Sequence, residues 1–462
     1  MHNFDFVVIG SGPAGQKAAI QAAKFGKKVA IIDRAADIGG VCLHTGTVPS
    51  KTMREAVLYL SGYSQRGFYG QGYRLKDDLT MADLKQRLNT TIHREEEVIL
   101  HQLNRNGVQV FNGTATFTDE KHVQVEDEKG KITEIQGDYF LIATGTYPVH
   151  PEDYPFDSGK VIDSDKILDL EELPRSMTVI GAGVIGVEYA SIFSALDVEV
   201  SLIDGRDSLL GFMDRELTDE LVHQFRDQGM VVRLGEQVDT ITCQQDASVL
   251  TSLKSGKQLR SDVVLVAAGR SGNTQSLNLE VAGVELSSRH LIQVNEYYQS
   301  SQSHIYAAGD IIGFPSLAST AMEQGRQVAS HAFGQNNLNN KLENFPFGIF
   351  AVPEMSMVGL TEQELTKKNI PYEVGIARLR ETTRGQIMGL EHGMLKLIFG
   401  LEQRELLGVH IIGEGATELI HIGQAALVLN GGLDYFLENV FNYPTLAEAY
   451  KMAALDAWNR LN

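Results

Sequence analysis

The side chains with the most chemistry to offer lie in residues 39–51, Gly-Gly-Val-Cys-Leu-His-Thr-Gly-Thr-Val-Pro-Ser-Lys, which we interpret as the start of a helix. Cys42 is one of two cysteines in the chain, and Thr47 has no thiol with which it could form a disulfide. Cys42 is therefore either a small packing residue or, because a helix N-terminus lowers the pKa of a thiol, a reactive thiolate. His44 has no companion at metal-ligand spacing, so we expect a structural role for it and predict no metal site.

A strand–turn–helix pattern near the N-terminus predicts a dinucleotide site. The run Gly-Ser-Gly-Pro-Ala-Gly begins at Gly10, follows a β-branched segment and precedes a segment of small residues. In this pattern Gly10 permits the turn, Gly12 lets a pyrophosphate approach the backbone, and Gly15 lets the helix pack against the strand. The helix N-terminus supplies N–H groups and a positive dipole for the phosphates. Asp33 ends the next predicted strand, about 20 residues further on, where a carboxylate can bind ribose hydroxyls.

A second copy of the pattern lies far downstream. The run Gly-Ala-Gly-Val-Ile-Gly supplies Gly181, Gly183 and Gly186. Asp204 closes the following predicted strand, and a carboxylate there favours NAD because it binds a free ribose 2′-hydroxyl and repels a 2′-phosphate. Arg206 either pairs with a 2′-phosphate, which gives tolerance of NADP, or is a solvated surface charge. Two such sites predict two dinucleotides held for hydride transfer between a nicotinamide and a flavin.

Length and composition narrow the class of protein. A chain of 462 residues is long enough for about three domains, and its 43% hydrophobic and 21% charged residues are typical of a globular protein. No apolar run approaches the ~20 residues of a membrane span, and we expect no secretory signal before the first strand. The net charge of -19 disfavours nucleic acid as a partner, and the scarcity of cysteine indicates a reducing, cytoplasmic setting.

The order of these features resembles that of the pyridine nucleotide–disulfide oxidoreductases, flavoproteins with two dinucleotide-binding domains. That family carries Gly-Gly-x-Cys-x-x-x-x-Cys-x-Pro-Ser-Lys, and here Thr47 replaces the second cysteine. The family also carries a C-terminal His-Pro-Thr-x-x-Glu segment, and here Tyr443 replaces the histidine while Glu448 remains. Because both thiol-handling positions have changed, the resemblance implies an enzyme that does something other than reduce disulfides.

The resemblance implies an α/β fold with two Rossmann-like dinucleotide-binding domains, for FAD and NAD(P), and a C-terminal α+β dimerisation domain. The implied domains are residues 1–148 and 272–343 for FAD, 149–271 for NAD(P), and 344–462 for dimerisation. We expect a homodimer in which the last domain closes the partner's flavin site. A long amphipathic helix is expected over residues 80–106, and the Asn-rich residues 335–340 are expected to form a surface loop.

Site residues also follow from the resemblance. The FAD-binding set comprises Gly10, Gly12, Gly15, Asp33, Gly40, Cys42, Lys51, Ala115, Thr144, Gly145, Asp310, Leu317 and Ala318. The NAD(P)-binding set comprises Gly181, Gly183, Gly186, Asp204, Arg206, Gly269 and Arg270. Lys51 is implied to lie beside the flavin N5, paired with Glu188 on the second nucleotide helix. The other catalytic candidates are Thr47, Tyr443 and Glu448, and the last two are implied to act in the partner subunit's site.

Within the family, the chain is most similar to the flavin-dependent pyridine nucleotide transhydrogenases, which share its Gly-Thr-x-Pro-Ser-Lys form and its Phe-Asn-Tyr-Pro-Thr segment. The resemblance implies hydride transfer between NADPH or NADH and NAD(P)+ through the flavin. Two alternatives stay open. One is the reduction of a quinone or another small acceptor by NAD(P)H, and the other is a nucleotide-binding redox sensor without turnover.

Overall fold

The computed structural model of the protein describes residues 2–70, 72–335 and 344–461. The Asn-rich residues 336–340 and the predicted domain boundary at residue 343 lie outside the described residues. The chain divides into two compact units, and the three-domain division stays a prediction. The first unit takes its residues from Met1–Thr52, Gln86–Val149 and Gly269–Leu342, and the second from Met53–Lys85, His150–Ala268 and Glu343–Asn462.

The strands of the described chain, in order, are β1 His2–Ile9, β2 Val29–Asp33, β3 Gln109–Asn112, β4 Thr114–Asp119, β5 His122–Glu126, β6 Ile132–Ile142, β7 Thr146–Pro148, β8 Val161–Asp163, β9 Ser176–Ile180, β10 Glu199–Asp204, β11 Val231–Leu234, β12 Val238–Cys243, β13 Val249–Leu253, β14 Gln258–Ser261, β15 Val263–Val266, β16 Arg270–Gly272, β17 Ile305–Ala307, β18 Phe347–Ile349, β19 Met355–Gly359, β20 Tyr372–Arg378, β21 Met394–Gly400 and β22 Leu406–Ile412.

The α-helices are α1 Pro13–Lys24, α2 Gly40–His44, α3 Thr47–Leu60, α4 Arg66–Tyr69, α5 Met81–Arg105, α6 Val184–Ser194, α7 Arg215–Asp227, α8 Ala318–Ala332, α9 Glu362–Lys367, α10 Thr383–Met388, α11 Ala416–Val428, α12 Leu433–Glu438 and α13 Glu448–Leu461. No helix in the described part of the chain is both long and apolar enough to cross a membrane.

The main sheet of the first unit has the order β3-β2-β1-β6-β5-β4, with β17 also paired to β6. Strands β3, β2, β1, β6 and β17 run parallel, and their register aligns Ile9 with Ile32 on one side and with Ile142 on the other. The loops that follow these strands therefore leave the sheet at one edge. In open parallel sheets this edge, at the carboxyl ends of the strands, is where ligands bind.

Both faces of this sheet are covered. Val7 and Ile9 of β1 belong to one buried cluster, whereas Phe6 and Val8 belong to another. Successive side chains of a strand point to opposite faces, so a strand buried on both faces is apolar at every position. This explains why the run at residues 6–9 lacks the polar alternation of a half-exposed strand.

The second unit repeats the parallel arrangement. Its nucleotide-type sheet has the order β11-β10-β9-β15-β8, with Ile180 aligned to Ile203 and to Val266. A smaller antiparallel sheet, β12-β13-β14, also lies in this unit. The C-terminal part folds into the antiparallel sheet β18-β19-β22-β21-β20, which α11 and α13 contact.

The structure confirms the predicted strands and the long amphipathic helix, which runs over Met81–Arg105. The prediction that a helix starts within residues 39–51 is confirmed, although two helices start there. The short helix α2 ends at His44, and α3 begins only at Thr47. A backbone hydrogen bond forms across this break, in which Gly46 donates its N–H to the Val41 carbonyl at 2.6 Å.

Candidate functional site

The first glycine-rich loop joins β1 to α1. Gly10 has φ of 106°, a left-handed conformation that L side chains rarely adopt, and a Cβ there would lie 2.3 Å from the Ala143 carbonyl oxygen. A Cβ at Gly15 would lie 2.0 Å from the Gly10 carbonyl oxygen. Both positions therefore require glycine, one for the turn and one for the close approach of α1 to β1.

The second loop, between β9 and α6, has the same geometry. Gly181 has φ of 107°, and a Cβ there would lie 2.3 Å from the Ala267 carbonyl oxygen. A Cβ at Gly186 would lie 1.8 Å from the Gly181 carbonyl oxygen. Each unit thus contains one loop of the dinucleotide-binding type, at the ligand-binding edge of its parallel sheet.

The acid predicted for each ribose lies against its own glycine loop. Asp33 accepts hydrogen bonds from the Ser11 N–H at 2.7 Å and from the Ser11 hydroxyl at 2.6 Å. Asp204 accepts from the Ala182 N–H at 2.6 Å and forms an ion pair with Arg206. Both carboxylates therefore lie beside the phosphate loop, where a ribose would meet them.

The two loops fit the dinucleotides that the sequence predicts. A Cβ at Gly12 or Gly183 would meet no atom within 4 Å, so the loop backbone faces open space at both positions. These glycines also precede α1 and α6, and neither helix has a side-chain cap for its first N–H groups. An anionic pyrophosphate is the kind of group that such an uncapped helix N-terminus binds. In the first unit, the buried Thr144 hydroxyl has no hydrogen-bond partner among the described residues, which leaves it free for a ligand.

Other predicted FAD residues gather around the first loop. A Cβ on Gly40 would lie 3.1 Å from the Gly12 Cα, so α2 begins directly against the loop. A Cβ on Gly309 would lie 3.4 Å from the Ala14 Cβ, which brings the neighbouring Asp310 to the start of α1. Helix α8 packs on α1, and its N-cap is Leu317, followed by Ala318. Ala115 is buried in β4, and Gly145 follows Thr144 after the end of β6.

The structure places Gly269 and Arg270, predicted as NAD(P) residues, in the first unit. Arg270 donates to the Thr146 hydroxyl at 2.9 Å and to its carbonyl at 2.8 Å. Burial raises the pKa of Asp310, and the positive charge of Arg270 counters part of that rise. Arg270 therefore lies among the predicted FAD residues, and whether it contacts the nicotinamide nucleotide stays a prediction.

Cys42, Thr47 and Lys51 come together at the break between α2 and α3. Burial raises the pKa of the Cys42 thiol, although a hydrogen bond with the Thr47 side chain and the charge of Lys51 act in the opposite direction. Both cysteines of the chain are free thiols. The raised pKa favours the packing role for Cys42 over the reactive thiolate. Lys51 lies with its Nζ 3.4 Å from the Ser50 hydroxyl, and the Nε2 of His44 lies 2.9 Å from the Ile38 carbonyl.

Glu188, on the second nucleotide helix, is buried rather than exposed at a helix surface. Its carboxylate accepts a hydrogen bond from the Phe350 N–H at 2.9 Å. One turn further on, the Ser191 hydroxyl accepts from the Val352 N–H at 3.0 Å. Helix α6 is thus bonded through two side chains to the segment that follows β18, and the pairing of Glu188 with Lys51 stays a prediction.

Tyr443 and Glu448 flank the start of α13. Tyr443 is 66% exposed, and its hydroxyl lies 2.9 Å from the Thr383 hydroxyl. Glu448 accepts a hydrogen bond from the Thr445 N–H at 3.3 Å. Neither contact involves a cofactor-loop residue, and the predicted action of this pair in a partner subunit's site stays a prediction.

Two features were missed by the sequence analysis. Ser11 is the link between Asp33 and α2, since its hydroxyl also accepts the Gly39 N–H at 2.8 Å. Its position as the only polar side chain in the first glycine run was a usable signal. The second feature is a buried ionic cluster in the second unit. Lys396 Nζ lies 2.8 Å from Asp214 and 3.0 Å from Glu216, and it also donates to Glu362.

The three acids of this cluster present carboxylate oxygens within 4.8 Å of one another, a spacing that could hold a metal ion. Lys396 already donates to all three, so its ammonium supplies the positive charge there. A signal for the cluster was present in the sequence. Lys396 interrupts the apolar run Met-Leu-Lys-Leu-Ile-Phe-Gly of β21, where an unpaired charge could not be buried.

Comparison with known proteins gives matches over nearly the whole chain. Residues 4–325 match the family described as pyridine nucleotide-disulphide oxidoreductase, and residues 345–454 match its dimerisation domain. The chain is 51% identical to the soluble pyridine nucleotide transhydrogenase of Mycobacterium tuberculosis (strain ATCC 25177 / H37Ra), covering 100% of this chain and 98% of that protein. It is 43% identical to the soluble pyridine nucleotide transhydrogenase of Escherichia coli (strain SMS-3-5 / SECEC), covering 100% and 99%.

Solved structures give the same fold. The HOCl-induced flavoprotein disulfide reductase RclA from Escherichia coli, as its Cu(II) complex, superposes with a TM-score of 0.89 at 26% identity, covering 98% of this chain and 99% of that one. LpdA from Mycobacterium tuberculosis has a TM-score of 0.89 at 25% identity, covering 100% of both chains. The predicted fold class is confirmed, and the dimerisation-domain match indicates that the chain pairs with a second copy.

Proposed function

This chain belongs to the pyridine nucleotide-disulphide oxidoreductase family, and we propose that it transfers hydride from NADPH to NAD+ with FAD as the carrier and without a redox-active disulfide. The observation that carries the proposal is Thr47, which stands at the position where the family pattern has a second cysteine and leaves Cys42 a free thiol. The full-length similarity to proteins named soluble pyridine nucleotide transhydrogenase supports the choice of substrates.

The proposed reaction balances without a proton. NADPH and NAD+ give NADP+ and NADH, so one hydride leaves C4 of the first nicotinamide and one hydride reaches C4 of the second. When bound, FAD supplies the two-electron carrier between nucleotides that use the second loop in turn. No side chain has to donate or accept a proton in this reaction, which agrees with Tyr443 standing where the family pattern has a histidine.

The first loop is proposed to hold FAD. The N–H groups at the start of α1 bind its pyrophosphate, and Asp33 binds ribose hydroxyls in exchange for part of its contact with Ser11. The proposed contacts beyond the loop are Gly40, Cys42, Ala115, Thr144, Gly145, Asp310, Leu317 and Ala318. The Thr144 hydroxyl would gain the hydrogen-bond partner that it lacks among the described residues.

Two charged residues, Lys51 and Glu188, are proposed to influence the reduction of FAD. Lys51 supplies a fixed positive charge at the flavin site, where it stabilises the negative charge that accompanies reduction. Glu188 supplies a fixed carboxylate from α6, oriented by the Phe350 N–H. A buried carboxylate with a backbone donor holds its orientation through each turnover, so it does not have to reorganise when the charge on the carrier changes.

Tyr443 and Glu448 are proposed to complete the active site of the partner subunit. The exposure of Tyr443 and its place in the dimerisation domain support this role. We also propose a cytoplasmic location, because the two free cysteines suit a reducing compartment.

The test is anaerobic stopped-flow spectroscopy of the purified holoenzyme. NADPH should bleach the flavin absorbance, and thio-NAD+ added next should restore it while the absorbance of thio-NADH appears. A flavin that reacts with NADPH but returns its electrons only to quinones would replace this function by the small-acceptor reductase. A reduced flavin that no soluble acceptor reoxidises would favour the redox sensor.

A further inference from the structure

We infer that Asp204 and Arg206 form an exchangeable ion pair that lets one nucleotide site take both NAD(H) and NADP(H). The inference rests on the proposed function, because a transhydrogenase must accept both nucleotides at the second loop. Arg206 contacts Asp204 with two side-chain nitrogens, Nε at 2.9 Å and Nη2 at 2.6 Å. This bidentate arrangement is the strong form of an arginine–carboxylate contact.

The first site of the same chain serves as an internal reference. The residue after the first glycine donates its N–H to the acid in both sites, Ser11 to Asp33 at 2.7 Å and Ala182 to Asp204 at 2.6 Å. The residue two positions after the acid also donates its N–H in both, Ala35 at 3.0 Å and Arg206 at 2.8 Å. The backbone pattern is therefore the same in both sites.

The side chains differ at two places. The Ser11 hydroxyl donates to Asp33, whereas Ala182 has no hydroxyl, and the residue two positions after the acid is charged only at the second site. At the first site this residue is Ala35, which brings no charge, and the ribose of FAD there needs only a carboxylate. At the second site it is Arg206, which neutralises Asp204. A site for one nucleotide with free ribose hydroxyls has no need of this arginine, whereas a site for a 2′-phosphate does.

A count of hydrogen bonds shows why the pair must exchange. An ionised carboxylate has about four acceptor positions. Asp204 already accepts from the Ala182 N–H and from three donors of Arg206, namely its N–H, Nε and Nη2. A ribose 2′-hydroxyl can therefore donate to Asp204 only after the Arg206 side chain has moved away. Binding of NAD displaces Arg206, and binding of NADP engages it.

The charge of Asp204 and the exposure of Arg206 support both the NAD-bound and the NADP-bound state of the site. Burial opposes ionisation of Asp204, but hydrogen bonds from the Arg206 side chain and from the Arg206 and Ala182 N–H groups outweigh it and lower the pKa. Asp204 therefore stays a carboxylate, able to accept from a ribose hydroxyl. The Asp204 side chain is 8% exposed, whereas that of Arg206 is 56% exposed and has space to turn toward a ligand.

The surrounding backbone does not have to move. Gly235 donates its N–H to the Arg206 carbonyl at 2.8 Å, and Glu236 donates to the Asp204 carbonyl at 3.0 Å. The loop that follows is tied to the glycine loop, since Leu210 donates to the Ala182 carbonyl at 3.2 Å. With the backbone held at these points, the exchange needs only side-chain rotation of Arg206.

The first experiment measures binding without hydride transfer. Isothermal titration of the holoenzyme with 2′,5′-ADP and with 5′-AMP gives the ratio of the two dissociation constants. In Arg206→Ala, the preference for 2′,5′-ADP should fall by about 10- to 100-fold, as expected when a charged hydrogen-bonded partner is lost. Arg206→Lys keeps the positive charge but lacks the guanidinium group that binds with two nitrogens, so it should recover part of the preference for 2′,5′-ADP.

The second experiment measures flavin reduction by each nucleotide. In Arg206→Ala, the ratio of kcat/KM for NADPH to that for NADH should fall, and in Asp204→Asn it should rise, because the ribose hydroxyl loses its charged acceptor. The matched control is Arg260→Ala, which removes an exposed arginine–aspartate pair, 3.2 Å to Asp246, outside the site, and should leave both ratios unchanged.

Unchanged ratios in Arg206→Ala, for both the fragments and the whole nucleotides, would overturn the inference while the transhydrogenation itself could still stand. A wild-type enzyme whose flavin is reduced by neither nucleotide would overturn the proposed function, and the inference with it. Opposite shifts in the two site variants, with Arg260→Ala unchanged, would establish the exchange.

Discussion

Lys396→Met is expected to destabilise the second unit strongly. The Lys396 side chain is completely buried, and its Nζ neutralises Asp214, which is 1% exposed, together with Glu216 and Glu362. Burial works against the charge of Lys396, but hydrogen bonding to Asp214 outweighs it and raises the pKa, so the lysine stays protonated. Methionine fills most of the volume of the lysine methylene chain and carries no charge. The substitution thus leaves Asp214 buried without its counter-ion.

The size of the effect follows from the contacts that remain. Removing one partner of a buried ion pair costs about 3–5 kcal/mol. Asp214 would still accept the N–H groups of Glu216 at 3.1 Å and Glu362 at 3.2 Å. The side chains of Glu216 and Glu362 are 39% and 32% exposed, so both can turn to water. We therefore expect the lower end of the range, a loss of about 3 kcal/mol.

The chain contains its own probe for this measurement. Trp458 is the single tryptophan, lies on α13 in the second unit, and has the Arg404 guanidinium 4.7 Å from its ring centroid. Its fluorescence therefore reports unfolding of the unit that contains Lys396. With a urea m-value of about 3 kcal/mol per M, a loss of about 3 kcal/mol moves the midpoint down by about 1 M.

Two further variants separate charge burial from simple loss of packing. Asp214→Asn combined with Lys396→Met removes both buried charges and should recover part of the lost midpoint, since no uncompensated buried charge then remains at Asp214. Lys166→Met breaks the exposed pair with Asp169 and should give no measurable shift. A double variant no more stable than Lys396→Met, or a single variant within about 0.3 M of the wild type, would refute this reasoning.

Three other substitutions test the site and the pH dependence. Lys51→Met should keep FAD bound and slow its reduction by NADPH by at least about 10-fold in stopped-flow traces, and an unchanged rate would remove Lys51 from the mechanism. Thr47→Cys raises the number of thiols from two to three and places the new one beside Cys42, so a titration of the oxidised protein with a chromogenic disulfide should find one thiol, that of Cys243; three persisting thiols would contradict the contact. Burial lowers the pKa of His410, so its stabilising contribution is present above the unfolded value of about 6.5 and is lost as pH falls below it. The urea midpoint should therefore fall less between pH 7.5 and pH 5.5 in His410→Gln than in the wild type, and equal falls would count against a neutral buried histidine.

Most of the fold and both glycine-rich loops could be predicted from short patterns in the sequence. Gly10, Gly15, Gly181 and Gly186 could be recognised because a strand–turn–helix connection needs glycine at fixed short spacings, and those spacings are visible in the sequence. The register of the parallel strands then brought Asp33 to the edge where the pattern predicted it.

The break at residues 45–46 was missed because it depends on a competition between backbone hydrogen bonds. The composition of residues 39–51 is compatible with one helix. In the folded chain the Gly46 N–H reaches back to the Val41 carbonyl, and α3 starts afresh at Thr47. This restart presents the Thr47 hydroxyl to Cys42, which the spacing of the two residues alone did not reveal.

The identities of Asp204 and Arg206 were evident from the chain, and so was their relevance to nucleotide choice. What only the tertiary structure decided is that they bind each other, because a half-exposed arginine has many rotamers and the sequence does not rank them. The same holds for Lys396 and Asp214, whose contact joins positions 182 residues apart. Side-chain periodicity and glycine spacing act over a few residues, whereas the pairing of charges depends on which segments meet after folding.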